Sequence, residues 1–318
     1  MDTPEAMGES YYLTPDMPVV VERHQVSLKF YESLKRSKEI LTSALRIEER
    51  YELLLGNYIA FEKILMDSSI ENMSRNKWYM DDQYYTDAFK ERMNINRFAI
   101  NLLTSAKMYM DQMVKDIRTC NESDELSKEY FKKITGEQYD KFFEYRFMEA
   151  LRNHVQHYGF PASSVTANTR TKKAEESFFW YYITLADATK KELSKNDKFK
   201  KAVLNEMPDK VELGNAIRVY MASISDIQEQ VRQAVSSYVD SARDEIEKVV
   251  SSFCELDPTS DSVIVSRHAG PSPVHVEIDS FSVMLMHDDV RIRLQNQNSE
   301  MTNLPRRMAL SNFHKTAN

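Results

Sequence analysis

Apolar residues recur at three- and four-residue intervals from Ile95 through Phe98, Leu102, Ala106, Met110, Met113 and Ile117, one stripe along a long helix. The same period returns from Ile224 through Ile227, Val231, Ala234, Tyr238, Ala242, Ile246, Val249 and Phe253, with the charges of SARDEIEK on the outer face. A helix with a single apolar stripe buries one side only, so both segments require partners. Further helices are predicted over about 20–47, 48–70, 137–158, 174–194 and 197–206. Glycine and proline would punctuate such segments, yet the chain has six and nine of them, with no proline between Pro18 and Pro161. CNESDELSKEY reads as an interhelical turn and GFPASSVTANTRTKK as a polar loop.

Past CELDPTSDS the period shortens to two. Val274, Val276 and Ile278 alternate with His275, Glu277 and Asp279, and Val290, Ile292 and Leu294 repeat the alternation, which predicts half-buried strands. The expected fold class is therefore all-α, an antiparallel helical bundle with long helices, plus a small C-terminal β-element. Its expected division is an N-terminal tail over 1–19, a helical domain over 20–256, and the β-element with its tail over 257–318.

Composition narrows the function. No apolar run approaches the roughly 20 residues needed to span a bilayer; SFFWYYITLA is the longest candidate and is too short. MDTPEAMGES lacks a basic stretch followed by an apolar one, so a cytoplasmic protein with no membrane partner is expected. A net charge of −7 argues against broad, sequence-independent attraction to nucleic acid, so any such role rests on a local site. Cys120 and Cys254 form neither a disulfide framework nor a CxxC zinc pair and read as ordinary helix residues. His24, His268, His275, His287 and His314 are dispersed and read as structural or surface residues. SRHAGPSP has no following helix that would make it a phosphate loop. Trp180 reads as core of a helix before it reads as a base-stacking platform.

One stretch departs from this pattern: EYRFMEALRNHVQHYGFP, residues 144–161. With Glu149 at zero on a helical wheel, Asn153 falls near about 40°, Arg146 near about 60° and His157 near about 80°, a single polar stripe. Arg152 flanks it near about −60°, and His154 borders the apolar side near about 140°. Gly159 and Pro161 then stop the helix. The bland explanation is a solvated face in which Glu149 pairs with Arg146 or Arg152. Against it stand two of the chain's seven histidines within four residues, on a helix otherwise patterned for burial.

RNHVQH, with Arg152 and Asn153 followed by His157, resembles the Arg, polar residue, spacer, His signature of the HEPN superfamily, and so a prokaryotic HEPN ribonuclease-like protein. INRFAINLLTSAKMYMDQ is similar to the long helix that precedes the motif helix in several HEPN families, and the resemblance covers about residues 78–200. It implies a HEPN-like bundle and metal-independent RNA cleavage in which the ribose 2′-OH attacks the adjacent phosphodiester. The residue types suit that chemistry. The imidazole of His157 exchanges a proton near neutral pH. Arg152 offers a planar charged donor to the phosphorane oxygens, and Asn153 can orient a phosphate or the imidazole. Catalytic residues Arg152, Asn153 and His157, supported by Glu149, Arg146 and His154, are thus expected, with no metal or other cofactor.

Arg152 and His157 lie five positions apart, about 140° round a regular helix, too far for easy convergence on one phosphate. HEPN proteins generally dimerise so that two motif helices meet. The resemblance therefore implies a homodimer through this helix, RNA as substrate, and a defence, toxin or stress setting with an antitoxin or activator as partner. The competing reading keeps the fold but makes the protein a non-catalytic nucleotide-binding or protein-interaction module. Local charge discriminates: a nuclease gathers Lys and Arg near the motif, and TRTKK (169–173) or Lys190 with Lys191 are the expected sources.

Overall fold

The computed structural model describes residues 8–16, 23–74, 82–121, 123–174, 177–254, 262–270, 276–299, 301 and 303–307. The chain begins with strands β1 (Gly8–Pro15) and β2 (His24–Val26), then helices α1 (Leu28–Ser74), α2 (Asp82–Asn121), α3 (Asp124–Lys141) and α4 (Phe143–His157). Strands β3 (Ser164–Ala174) and β4 (Ser177–Thr189), short helices α5 (Lys190–Leu193) and α6 (Lys201–Glu206), and strand β5 (Lys210–Glu212) follow. Helix α7 (Leu213–Cys254), strands β6 (Ser262–Gly270) and β7 (Val276–Met284), helix α8 (Met286–Gln297) and a 3-10 turn at Leu304–Arg306 complete it.

Helices predominate, and the two long stripes are where the spacing puts them. Ile95, Leu102, Ala106, Met113 and Ile117 are buried on α2, and Ile224, Ile227, Val231, Ala242, Ile246 and Phe253 on α7. The β-structure exceeds the small C-terminal element expected: seven strands among the described residues form antiparallel sheets of four and three strands, and β1 to β5 precede α7. The helices expected over 20–47 and 48–70 are one continuous α1, and residues 24–26, inside the first of those spans, are strand β2.

The chain separates into two compact units. The first comprises Met1–Glu49, Met113–Lys128 and Val231–Asn298. Its sheet runs β2-β1-β6-β7, with Tyr11 opposite both Val26 and Arg267, and Val265 opposite Phe281. Residues 8–15, read from sequence as tail, thus lie inside a sheet, where Tyr11 and Leu13 are buried. Val276 and Ile278 do stand on a strand, whereas Val274 and His275 lie outside the described residues. The alternation at Val290, Ile292 and Leu294 falls on helix α8 instead. Charge seats that helix: Asp288, fully buried, accepts from Arg291 Nε at 2.5 Å and from Arg243 Nη1 at 2.5 Å. In the same unit the buried Glu48 carboxylate receives a two-pronged contact from Arg232 at 2.9 and 2.7 Å.

The second unit comprises Arg50–Gln112, Glu129–Gln230 and Ser299–Asn318 and holds the motif. Its sheet is β3-β4-β5, with β3 and β4 paired from Ser164 opposite Asp187 to Ala174 opposite Ser177. The helix expected over 174–194 is therefore mostly strand, and much of the predicted polar loop after the motif is its hairpin partner. Phe, Trp, Tyr, Ile and Thr in SFFWYYITLA favour the pleated surface, and Thr184, Ala186 and Ala188 are buried in strict alternation. Trp180 is 63% exposed on β4 rather than in a core. Helix α1 fixes the strand: Thr184 N–H donates to Ser69 Oγ at 3.0 Å, and Asn72 Nδ2 donates to Thr184 Oγ1 at 3.0 Å. In place of the helix expected over 197–206 there is a loop leading into the six-residue α6. No helix among the described residues is long and apolar enough to cross a membrane.

Candidate functional site

Helix α4 starts one residue after α3, at a break where Phe142 is extended (φ −118, ψ 124). It ends as the sequence predicts: the N–H groups of Tyr158 and Gly159 both donate to the carbonyl of His154, at 2.8 and 3.2 Å. The chain then passes Pro161 and is caught by α2. Asn96, 1% exposed, donates from Nδ2 to the Ala162 carbonyl at 3.2 Å and accepts from the Ala162 N–H at 2.8 Å. This clamp uses the first asparagine of INRFAIN and fixes the exit from the motif.

The last turns of α4 form one wall of a cleft of about 460 Å³. Tyr139 of α3, then Arg146, Glu149, Ala150, Asn153, His154 and His157 of α4, and Tyr158 line it, facing residues 196–200. Five of the six residues singled out from sequence therefore share this cleft. The sixth, Arg152, does not line it. Only 8% exposed, Arg152 donates from Nη1 to Glu149 Oε1 at 2.9 Å, and the Tyr220 hydroxyl donates to the same oxygen at 2.6 Å. Burial, with Glu149 alongside, pushes the Tyr220 phenol far above its ordinary range, so it remains a donor. The reason is angular. At i, i+3 from Glu149 and well round the helix from His157, Arg152 falls on the side that packs inward.

Several lining side chains are committed to holding the walls. Arg146 forks onto Glu206, with Nε at 3.2 Å, and its Nη1 donates to the Tyr139 carbonyl at 2.6 Å. Lys200 lies 4.5 Å from the Tyr139 ring centroid and donates to its hydroxyl. His154 is 5% exposed, edge-on to Phe199, and its Nδ1 sits 3.0 Å from Asn196 Nδ2. Asn196 Oδ1 accepts the Lys198 N–H at 3.0 Å, which fixes the amide so that its NH₂ faces the ring. His154 Nδ1 is thus the acceptor and Nε2 carries the proton. Gly159 permits this ring position, since a Cβ there would meet His154 Nε2 at 3.2 Å. By contrast, among the described residues no hydrogen bond or ion pair engages the side chains of Asn153, His157, Asp197 or Lys198, and all four are exposed.

Burial lowers the pKa of His154, keeping the ring neutral in the folded chain. In the unfolded chain the same ring takes up a proton below about pH 6.5. Its stabilising contribution is therefore complete above that pH and is lost as the pH falls. Urea midpoints are expected to decline on acidification from about pH 7 to 5, and His154→Gln, which keeps an amide acceptor toward Asn196, is expected to flatten part of that decline.

The expected basic sources lie elsewhere. Lys190 Nζ donates to the Met207 carbonyl at 3.1 Å, Lys191 does not line the cleft, and the side chains of Arg170–Lys173 lie outside the described ones. Besides Arg146, the cations in the cleft are Lys198 and Lys200 of NDKFK, residues 196–200, which sequence reasoning missed; its lysine spacing around one buried aromatic residue was the available signal. No group of three or more His, Cys, Asp or Glu side chains fit to hold a metal is found among the described residues. No protein-family model, curated protein or solved structure matches the chain.

Proposed function

We propose that this cleft is the active site of a metal-independent endoribonuclease. The observation that carries the reading is the pairing, on one cleft wall at the end of α4, of an exposed imidazole and an exposed amide that no other described residue engages, His157 and Asn153. A cleft of about 460 Å³ has the size of a small-ligand site, enough for a nucleotide. In the reaction, a base takes the proton of the ribose 2′-OH, that oxygen attacks phosphorus, and the P–O5′ bond breaks as the departing oxygen gains a proton. The products are a 2′,3′-cyclic phosphate and a 5′-hydroxyl. His157 serves as the proton-exchanging group and Asn153 as a hydrogen-bond donor to a non-bridging oxygen. Arg152 acts through Glu149 as a positioning residue.

The HEPN-like antiparallel bundle and a homodimer through the motif helix belong to the same proposal. With His154 buried, one exposed histidine in each cleft supplies one proton-transfer group, while the reaction uses an acid and a base; a two-fold related copy would bring a second. Cytoplasmic location and a toxin, defence or stress setting with an antitoxin or activator complete this reading. A second reading, a non-catalytic nucleotide-binding module, is favoured by one observation: the guanidinium that resembles the motif's catalytic arginine is committed to Glu149. A single 2′-deoxy substitution at a mapped cleavage site separates the two. The nuclease reading expects that one bond to become resistant while neighbouring sites are still cut; cutting of the substituted bond excludes 2′-OH attack, and binding without any cutting favours the module.

A further inference from the structure

Resting on the reading of the cleft as an RNA site, we infer that Lys198, and not Arg152, is the cation that contacts the RNA phosphate there. Arg152 is buried against Glu149 and Tyr220. Arg146 is spent on Glu206, and Lys200 on Tyr139. Lys198 alone among the cleft's Lys and Arg side chains has no partner among the described residues.

Its backbone, meanwhile, is fixed on both sides. Asn196, buried, ties the segment to His154 and accepts the Lys198 N–H, and the Phe199 N–H donates to the Asn196 carbonyl at 3.0 Å while its ring is buried. Just before it, the Tyr158 hydroxyl donates to the Lys195 carbonyl at 3.0 Å, joining the end of α4 to the same segment. An exposed ammonium on an anchored loop, lining the same cleft as His157, is a preorganised anion contact that loses little backbone freedom on binding. Asp197, next to it in sequence and lining the same cleft, is the opposing charge. In a chain of net charge −7 a local cation of this kind is what nucleic-acid binding requires.

The test is fluorescence anisotropy with a short labelled single-stranded RNA, using full-length His157→Ala protein so that the probe is not consumed, and following the salt dependence. Adding Lys198→Ala is expected to weaken binding about tenfold at low salt and to reduce the slope of log K against log salt by about 0.7, one phosphate contact on a single strand. Lys198→Arg is expected to restore both, which a purely structural role would not predict. Lys195→Ala, whose ammonium already pairs with Glu192 at 2.7 Å, is expected to leave both unchanged. Unchanged affinity and slope on Lys198→Ala overturn the inference, and do so without touching the nuclease reading if wild-type protein still cleaves RNA in a His157-dependent way. Lysine-dependent binding with no cleavage by wild-type protein sustains the phosphate contact and removes the nuclease. Failure of the parent protein to bind the RNA overturns the inference, and overturns the nuclease reading as well if wild-type protein does not cleave.

Discussion

His157→Ala is expected to lower RNA cleavage by about 10²- to 10⁴-fold, the usual worth of a positioned proton-transfer group. Stability should barely change, by under about 0.5 kcal/mol, as for surface substitutions generally. The two effects separate because His157 is exposed on the last turn of α4 and no described residue holds its side chain. His154, three residues earlier on the same helix, provides the contrast: its ring is buried, bonded to Asn196 and edge-on to Phe199, so its replacement disturbs packing. Initial rates on a defined RNA, with urea denaturation of the same preparations, check both halves. Equal rates for variant and wild type remove His157 from the chemistry.

Arg152→Ala is expected to act in the opposite manner, costing about 3 kcal/mol of stability, because breaking a buried ion pair strands the partner that remains. Glu149 would keep the Tyr220 hydroxyl and lose the guanidinium, and the volume vacated beneath α4 would go unfilled. Lysine is a poor replacement, since a point ammonium does not reproduce the planar donor. Urea denaturation gives the stability, and a double-mutant cycle with Glu149→Gln isolates the pair. A positioning role predicts a coupling of at least about 1 kcal/mol. Full stability with selective loss of RNA affinity would instead return Arg152 to the phosphate.

Much of the site was legible because it lies on one helix. Fixed angular increments put Arg146, Glu149, Asn153 and His157 on one stripe, and these four do share the cleft. Arg152 was placed beside that stripe by the same arithmetic, but a wheel carries no information about which flank faces the core, and Tyr220, which helps to hold Glu149, is 71 residues away in sequence. The opposite wall was illegible for a similar reason. Residues 196–200 reach the motif only because β4 leads out of a sheet that was itself misread. Ala174 pairs with Ser177 across Glu175 and Glu176, a connection without the Gly, Asn or Asp that marks tight hairpins. In α8 the failure was electrostatic: buried Asp288 and Arg291 anchor the helix while Val290 is 39% exposed, so the apolar alternation followed the wrong residues. Long stripes such as Ile95 to Ile117 survived because about six turns of consistent period outweigh any single local signal.

The claim on which the account turns is that this cleft cuts RNA by attack of its own 2′-OH, without a metal. The measurement closest to it is incubation of purified wild-type and His157→Ala protein with total RNA in EDTA, followed by chemical mapping of the new ends. Discrete cuts by the wild type, bearing 2′,3′-cyclic phosphate and 5′-hydroxyl ends and missing with the variant, are the predicted result. Cuts ending in 3′-hydroxyl and 5′-phosphate, cutting that needs a divalent ion, or the same cuts with both proteins would contradict it.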